Sequence, residues 1–186
     1  MKYPTRINKT SKNISYANRG MTLENELNET NNFYLINNIA VIHKKPTPIT
    51  ITKVDYPCRL EAVIKEGYFK TPSTTDYNGI YKGKYIDFEA KETKNSNFPL
   101  SNIHNHQIEH LKKIIDHGGI SFIIVRFTLK NKTFLLETKE LINFINNSNR
   151  KSIPYDYFEK KGFLIKDKFN PRVDYIEIIE KLYFSI

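Results

Sequence analysis

The chain has 186 residues and a mass of 21.9 kDa, a size at which one hydrophobic core usually stays undivided. Hydrophobic residues make up 39% and aromatics 13%, with 12 Tyr and 12 Phe, which excludes wholesale disorder. Against 20 Asp+Glu stand 29 Lys+Arg, a formal net charge of +9, and this favours a polyanionic partner such as nucleic acid or an anionic membrane surface. Of the 29 cations 23 are Lys, beside 25 Ile and 20 Asn, a bias that an A+T-rich genome also produces. Where the charges sit therefore matters more than their sum.

The first twenty residues carry Lys2, Arg6, Lys9, Lys12 and Arg19 and no acid, which predicts a flexible basic arm over residues 1–17. No apolar segment follows these cations, so the arm does not read as a secretory signal. No apolar run approaches the roughly 18 residues that span a bilayer. The expectation is a cytoplasmic protein with no membrane partner, whose single domain covers 18–186.

From Asn18 to Asn32 there is no Pro, and Leu23, Leu27, Tyr34 and Leu35 recur at helical spacing. A first helix is predicted, with Asn18 as its cap. Ile39 to Ile42 reads as a strand, stopped by His43-Lys44-Lys45-Pro46-Thr47-Pro48 because proline cannot sit in a sheet interior. Ile49 to Val54 alternates Ile and Thr, Asp55-Tyr56-Pro57 breaks it, and Arg59 to Phe69 resumes the pattern. This predicts a projecting β-arm within about residues 44–70. Its lone thiol, Cys58, has no intrachain partner and is assigned no chemistry.

Two strand-like runs, Thr75 to Tyr81 and Lys84 to Glu92, flank Lys82-Gly83, a plausible two-residue turn. Ile103 to His117 places Gln107, Ile108, Leu111, Ile114 and Ile115 on one helical face, with Ser101 or Asn102 as cap and Gly118-Gly119 as stop. Ile120 to Phe127 is a buried strand by composition, and Lys132 to Leu136 its antiparallel partner. Helical stretches follow near Lys139–Asn146, Tyr155–Lys161 and Asp174–Tyr183. The element order predicts a mixed α/β domain.

If Lys82-Gly83 closes the hairpin, Tyr81 pairs with Lys84 and Asp76 falls opposite Glu89. Residues two apart share a face of a strand, so Lys91 joins Glu89, and Thr74 joins Asp76 if its strand extends that far. Two carboxylates that close repel unless one is protonated or a cation lies between them, and their oxygens suit a hard ion such as Mg²⁺. Such a patch can polarise a phosphodiester, and an ammonium group beside it can stabilise the extra negative charge of the transition state. Ordinary cross-strand charge pairs on an exposed hairpin would give the same spacing.

Asp76 followed thirteen residues later by Glu89-Ala90-Lys91 resembles the PD-(D/E)xK signature of the restriction-endonuclease-like nucleases, with Thr75-Asp76 in place of Pro-Asp. Longer runs resemble the RecU family of Holliday-junction resolvases. They include Asn18-Arg19-Gly20-Met21-Thr22-Leu23-Glu24, Ala40 to Pro48, Pro72 to Gly79, Tyr85 to Thr93, Phe98-Pro99-Leu100, His104-Asn105-His106-Gln107, His117-Gly118-Gly119-Ile120, Lys151-Ser152-Ile153-Pro154 and Pro171 to Tyr175. The resemblance spans roughly Asn18 to Tyr175. It implies a restriction-endonuclease-like mixed β-sheet flanked by helices, with Thr74, Asp76, Glu89 and Gln107 around Mg²⁺, for which Mn²⁺ can substitute. It implies that Asp76, Glu89 and Lys91 are catalytic, Lys91 as the transition-state stabiliser. It further implies a stalk that enters a four-way DNA junction, with Lys44 and Arg59 as DNA contacts, a homodimer that makes two symmetric nicks, and recombination partners such as a strand-exchange recombinase or a branch-migration helicase; Lys45, either a phosphate contact or an ordinary solvated lysine, and Arg19 of the basic segment are further DNA-contact candidates.

Several residues remain open to more than one reading. Gln107 lies on an apolar helix face, where its amide needs partners: a metal-bound water, a site carboxylate, or a backbone carbonyl in the core. Glu24 either faces the site from the first helix or is a solvated helix glutamate. His106, His110 and His117 form a flank that touches DNA phosphate or is simply solvated; no Cys pair or nearby acid completes a zinc set. Two other functions stay in view. A non-catalytic DNA-binding accessory protein would explain the charge but not why Asp76, Glu89 and Lys91 share one face, and a small-molecule metal phosphodiesterase would explain that patch but not the basic arm.

Overall fold

The computed structural model describes residues 22–57, 62–70 and 74–185; the basic arm, Asn18, Arg19, Cys58 and Arg59 lie outside them. Helix α1 (Leu23–Ile36) begins at Thr22, whose hydroxyl accepts from the Asn25 N–H at 3.3 Å. The cap is therefore Thr22 rather than Asn18. The helix also runs beyond Asn32, because Tyr34 is buried in the core. Strand β1 (Val41–Lys44) carries on through His43 and Lys44 and stops before Pro46. Strands β2 (Ile49–Asp55) and β3 (Val63–Phe69) pair with each other in a separate two-stranded antiparallel sheet, exposed at every position. The β-arm expected from the Ile/Thr alternation is this ribbon.

Strands β4 (Tyr77–Tyr81) and β5 (Lys84–Thr93) form the hairpin in the expected register, Tyr81 opposite Lys84 and Tyr77 opposite Phe88. Lys82 and Gly83 have φ values of 45° and 78°, the two left-handed positions that a type I′ turn requires. On the other flank of β4, a Cβ at Gly79 would stand 2.1 Å from the Val41 carbonyl oxygen, so only glycine lets β1 approach here.

The chain continues through β6 (Asn97–Pro99), a 3₁₀ turn at Leu100–Asn102, α2 (Asn105–Asp116), β7 (Ile120–Phe127) and β8 (Lys132–Glu137). It ends with α3 (Thr138–Asn147), β9 (Ser152–Pro154), α4 (Tyr155–Lys161), β10 (Phe163–Ile165) and α5 (Ile176–Tyr183). The 3₁₀ turn occupies Ser101 and Asn102, so α2 starts later than the spacing suggests and takes His104 as its N-cap. Phe98 pairs with Ile153 where β6 meets β9, joining two of the runs that carry the family resemblance.

The main sheet has the order β1-β4-β5-β7-β8-β10, antiparallel except for β5 beside β7. A parallel pair needs a crossover, and α2 supplies it. This is the mixed α/β class that the element order predicts and the mixed sheet flanked by helices that the family resemblance implies. One core unites Leu23 and Leu27 of α1 and Ile176 and Ile179 of α5 with Phe88 and Phe122. The other unites Leu111 of α2, Leu141 of α3 and Phe158 of α4 with Ile123 and Val125. On β7 successive residues enter opposite cores. On β5 the positions aligned with Ile123 and Val125 are Glu89 and Lys91, so charge stands where the neighbouring strand carries core.

Candidate active site

Asp76 lies one residue before β4, so it meets Glu89 without being its ladder partner. Its backbone N–H donates to Glu89 Oε2 at 3.1 Å. Glu89 has no solvent exposure, being walled by β4 and β7. The Lys91 ammonium forms an ion pair with Glu89 Oε1, yet the contact is not aligned as a hydrogen bond, and that buried oxygen has no hydrogen-bond partner. Burial first, and then the neighbouring Asp76 charge, push the Glu89 carboxyl up to about 7 although Lys91 opposes the rise.

A buried carboxylate with an oxygen that no hydrogen bond satisfies, beside a second carboxylate, fits a hard divalent cation, which would relieve the Asp76–Glu89 repulsion. Among the described residues no group of three His, Cys, Asp or Glu converges. A cation held by Asp76 and Glu89 would complete its shell with neutral oxygens and water, as Mg²⁺ commonly does.

The pair opens into a cleft of about 390 Å³ lined by Glu24, Lys44, Lys45, Thr74, Asp76, Lys91, His104 and Gln107, among others. Of the nine residues singled out for the site, seven lie within the described residues, and all but the buried Glu89 line this cleft. Arg19 and Arg59 lie outside the described residues. Gln107 is buried, but its Oε1 accepts from the His104 backbone N–H at 3.0 Å. The amide thus serves the start of α2, a partner that the apolar-face argument did not include.

Glu24 reaches the cleft from the first turn of α1, half exposed, and pairs with Lys44 at 2.5 Å. The helix is seated by β5, where Glu92 Oε1 accepts from the Leu23 N–H at 3.1 Å, and by Arg126 of β7, which binds the buried Glu26. The three histidines do not act as one flank. His110 Nε2 lies 3.2 Å from Asp87 Oδ2, His106 stacks on His104, and His117 caps the far end of α2.

Lys44 and Lys45 are adjacent yet differently placed. The Lys44 side chain is 41% exposed, whereas that of Lys45 is 18% exposed and its ammonium donates to Asp87 at 2.7 Å and to Thr75 at 2.9 Å. Asp87, fully buried, also takes contacts from Thr75, Tyr85 and His110. Sequence reasoning passed over this cluster, although strand periodicity places Asp87 on the same face as Glu89 and Lys91.

Residues 18–181 match the family model of RecU, described as Recombination protein U. The chain is 59% identical over 178 residues to the Holliday junction resolvase RecU of Bacillus cytotoxicus, covering 94% of this chain and 89% of that protein. It is 58% identical, with the same coverage, to proteins of that name from Bacillus cereus and Bacillus anthracis. Among solved structures, the Holliday junction resolvase Hjc of Archaeoglobus fulgidus aligns with 54% of this chain and 78% of its own length, at 14% identity and a TM-score of 0.39. The match to the family model over most of the chain, together with identities near 60% to its curated members, establishes that this chain belongs to the RecU family.

Proposed function

We propose that the chain is a Holliday junction resolvase, a structure-selective endodeoxyribonuclease that hydrolyses phosphodiesters at four-way DNA junctions with a divalent metal ion. The observation that carries the reading is the buried Glu89, with one oxygen lacking a hydrogen-bond partner, set beside Asp76 and Lys91 in a cleft flanked by Lys44. Its family membership supports the same reading.

Asp76 and Glu89 would hold the cation, with Thr74 and Gln107 nearby to support its remaining ligands. When bound, Mg²⁺ or Mn²⁺ supplies positive charge to the scissile phosphate and eases the loss of a proton from the attacking water. Lys91 stabilises the extra negative charge of the transition state. Its ion pair with Glu89 keeps the ammonium on the cleft face of β5. Lys44 grips a backbone phosphate together with Arg59 and Arg19, while Lys45 brings only what its bonds to Asp87 and Thr75 leave free. The β2–β3 ribbon enters the open centre of the junction. Paired symmetric nicks require two sites related by a two-fold axis, which a homodimer provides.

The test compares the wild type with Asp76→Asn on synthetic four-way junctions and on linear duplex, with and without Mg²⁺. The expected result is paired nicking of the junction by wild type with Mg²⁺ and junction binding without nicking by the variant. Binding without cleavage by wild type under every divalent ion would overturn the enzyme in favour of a DNA-binding accessory protein. Equal cleavage of linear duplex would overturn the junction selectivity.

A further inference from the structure

We infer that Asp87 is a positioning residue for strand cleavage, acting through Thr75 and Lys45 on the backbone that presents Asp76; the inference rests on the nuclease reading of the cleft. Asp87 is fully buried on β5 and shares its face with Glu89. The Thr75 hydroxyl bonds its Oδ1. On Oδ2 converge the Lys45 ammonium at 2.7 Å, the Tyr85 hydroxyl at 3.1 Å and His110 Nε2 at 3.2 Å. Asn78 donates to the Tyr85 oxygen at 2.9 Å, which leaves the Tyr85 proton for Asp87.

The consequence falls on the peptide that follows Thr75. The Asp76 N–H is held by Glu89 at 3.1 Å, and its carbonyl accepts from the Lys45 N–H at 2.7 Å. The preceding side chain is tied to Asp87, and Lys45 binds that same carboxylate. Asp76 is thus fixed from three sides, and two of the three trace back to Asp87. A buried carboxylate with this many partners is costly to desolvate, so a stability gain alone is a weak reason for it. Orienting a residue that holds a metal is a stronger one, because partners at one remove from a metal ligand typically change affinity or activity by about 10–100-fold when lost.

The test centres on Thr75→Val, which leaves the Asp87–Lys45 pair in place and removes the hydroxyl with its bonds to Asp87 and to the Lys45 ammonium. Three quantities are measured: single-turnover cleavage of a saturating four-way junction with Mg²⁺, junction affinity in EDTA, and Mn²⁺ affinity by calorimetry. Thr75→Val should lower the cleavage rate and the Mn²⁺ affinity about tenfold or more, while junction affinity in EDTA stays within about twofold. Thr75→Ser, which keeps the hydroxyl, should return both to within about threefold of wild type. Asp87→Ala, which removes the acceptor of the Thr75 hydroxyl, should be slow as well, and adding Thr75→Val to it should cost little more, since the Thr75–Asp87 bond is already lost. If Asp87→Ala fails to fold, the Thr75 pair carries the test alone. Wild-type cleavage and Mn²⁺ affinity in Thr75→Val overturn the positioning role, as does a parallel loss of junction affinity in EDTA. A wild type that binds junctions but never cuts them overturns the nuclease reading instead.

Discussion

Two antiparallel hairpins of this chain draw on the same residue classes and meet opposite surroundings. In β2–β3, Ile51, Val63 and Ile64 stand among Thr and Lys with every position exposed, and the pair Lys65–Asp55 spans 3.3 Å in solvent. In β4–β5, Tyr77, Ile86 and Phe88 are buried, and the pair Lys91–Glu89 has a carboxylate with no exposure. The difference comes from neighbours: β5 has β4 on one edge, β7 on the other and helices over both faces, whereas among the described strands β2 and β3 pair only with each other. A lysine–carboxylate pair in water contributes little and is screened by salt. Drying the carboxylate of such a pair raises its pKa against the opposing lysine and leaves an oxygen without a hydrogen-bond partner, which is where metal-dependent chemistry can be built. On this view the ribbon is used for contact and the hairpin for chemistry.

The sharpest way to break that division is to remove charge from each. Asp76→Asn and Glu89→Gln should lower the rate of junction cleavage by on the order of 10³-fold, with junction binding in EDTA retained. Loss of binding to the same degree would show that the hairpin, too, serves mainly as a grip. Next comes packing. Phe88→Ala should destabilise the protein by about 3–5 kcal/mol, as expected for a fully buried aromatic side chain. In the ribbon Ile51→Ala should change stability by less than about 0.5 kcal/mol. Chemical denaturation measures both, and a large cost at Ile51 would mean that the ribbon is packed in solution.

A pH series sharpens the electrostatic half of the comparison. In metal-free protein, Glu89 has a folded pKa near 7 against an ordinary value of 4.5, so between these pH values the folded chain holds a proton that the unfolded chain has lost. The stability from this group is fully present below about 4.5 and is lost as pH rises through about 7. Denaturation in EDTA should show that decline in wild type, and Glu89→Gln should flatten it; an unchanged slope would remove the electrostatic account of the site. The smallest effect is expected at the exposed Lys44. Lys44→Ala should weaken junction binding modestly and reduce the log–log salt slope by about 1, and a cleavage defect at saturating junction would move Lys44 into the chemistry.

Local rules made much of the hairpin legible in advance. Lys82-Gly83 set the turn, the turn set Tyr81 against Lys84, and period-two alternation put Glu89 and Lys91 together. The cap of α1 and the start of α2 were less legible, because Thr22 and His104 win over Asn18 and Asn102 through contacts of the helix ends with the chain around them. Gln107 shows the same limit: a buried amide announces that it needs a partner, but its pattern does not say that the partner is the His104 N–H.

By itself the sequence determined the hairpin register, the succession of the longer strands and helices though not the short strands β6, β9 and β10, the ribbon's alternation and the candidate residues Asp76, Glu89 and Lys91, because these follow from turn geometry and from periods of 2 and 3.6 residues. Tertiary structure alone decided that Glu89 is dry, that Lys45 turns inward while Lys44 stays out, and that Asp87 gathers Thr75, Tyr85, Lys45 and His110. Those outcomes depend on which distant segments pack side by side. Periodicity assigns a side chain to a face, but the dielectric and the partners on that face come from the β7 strand and α2 helix brought beside it.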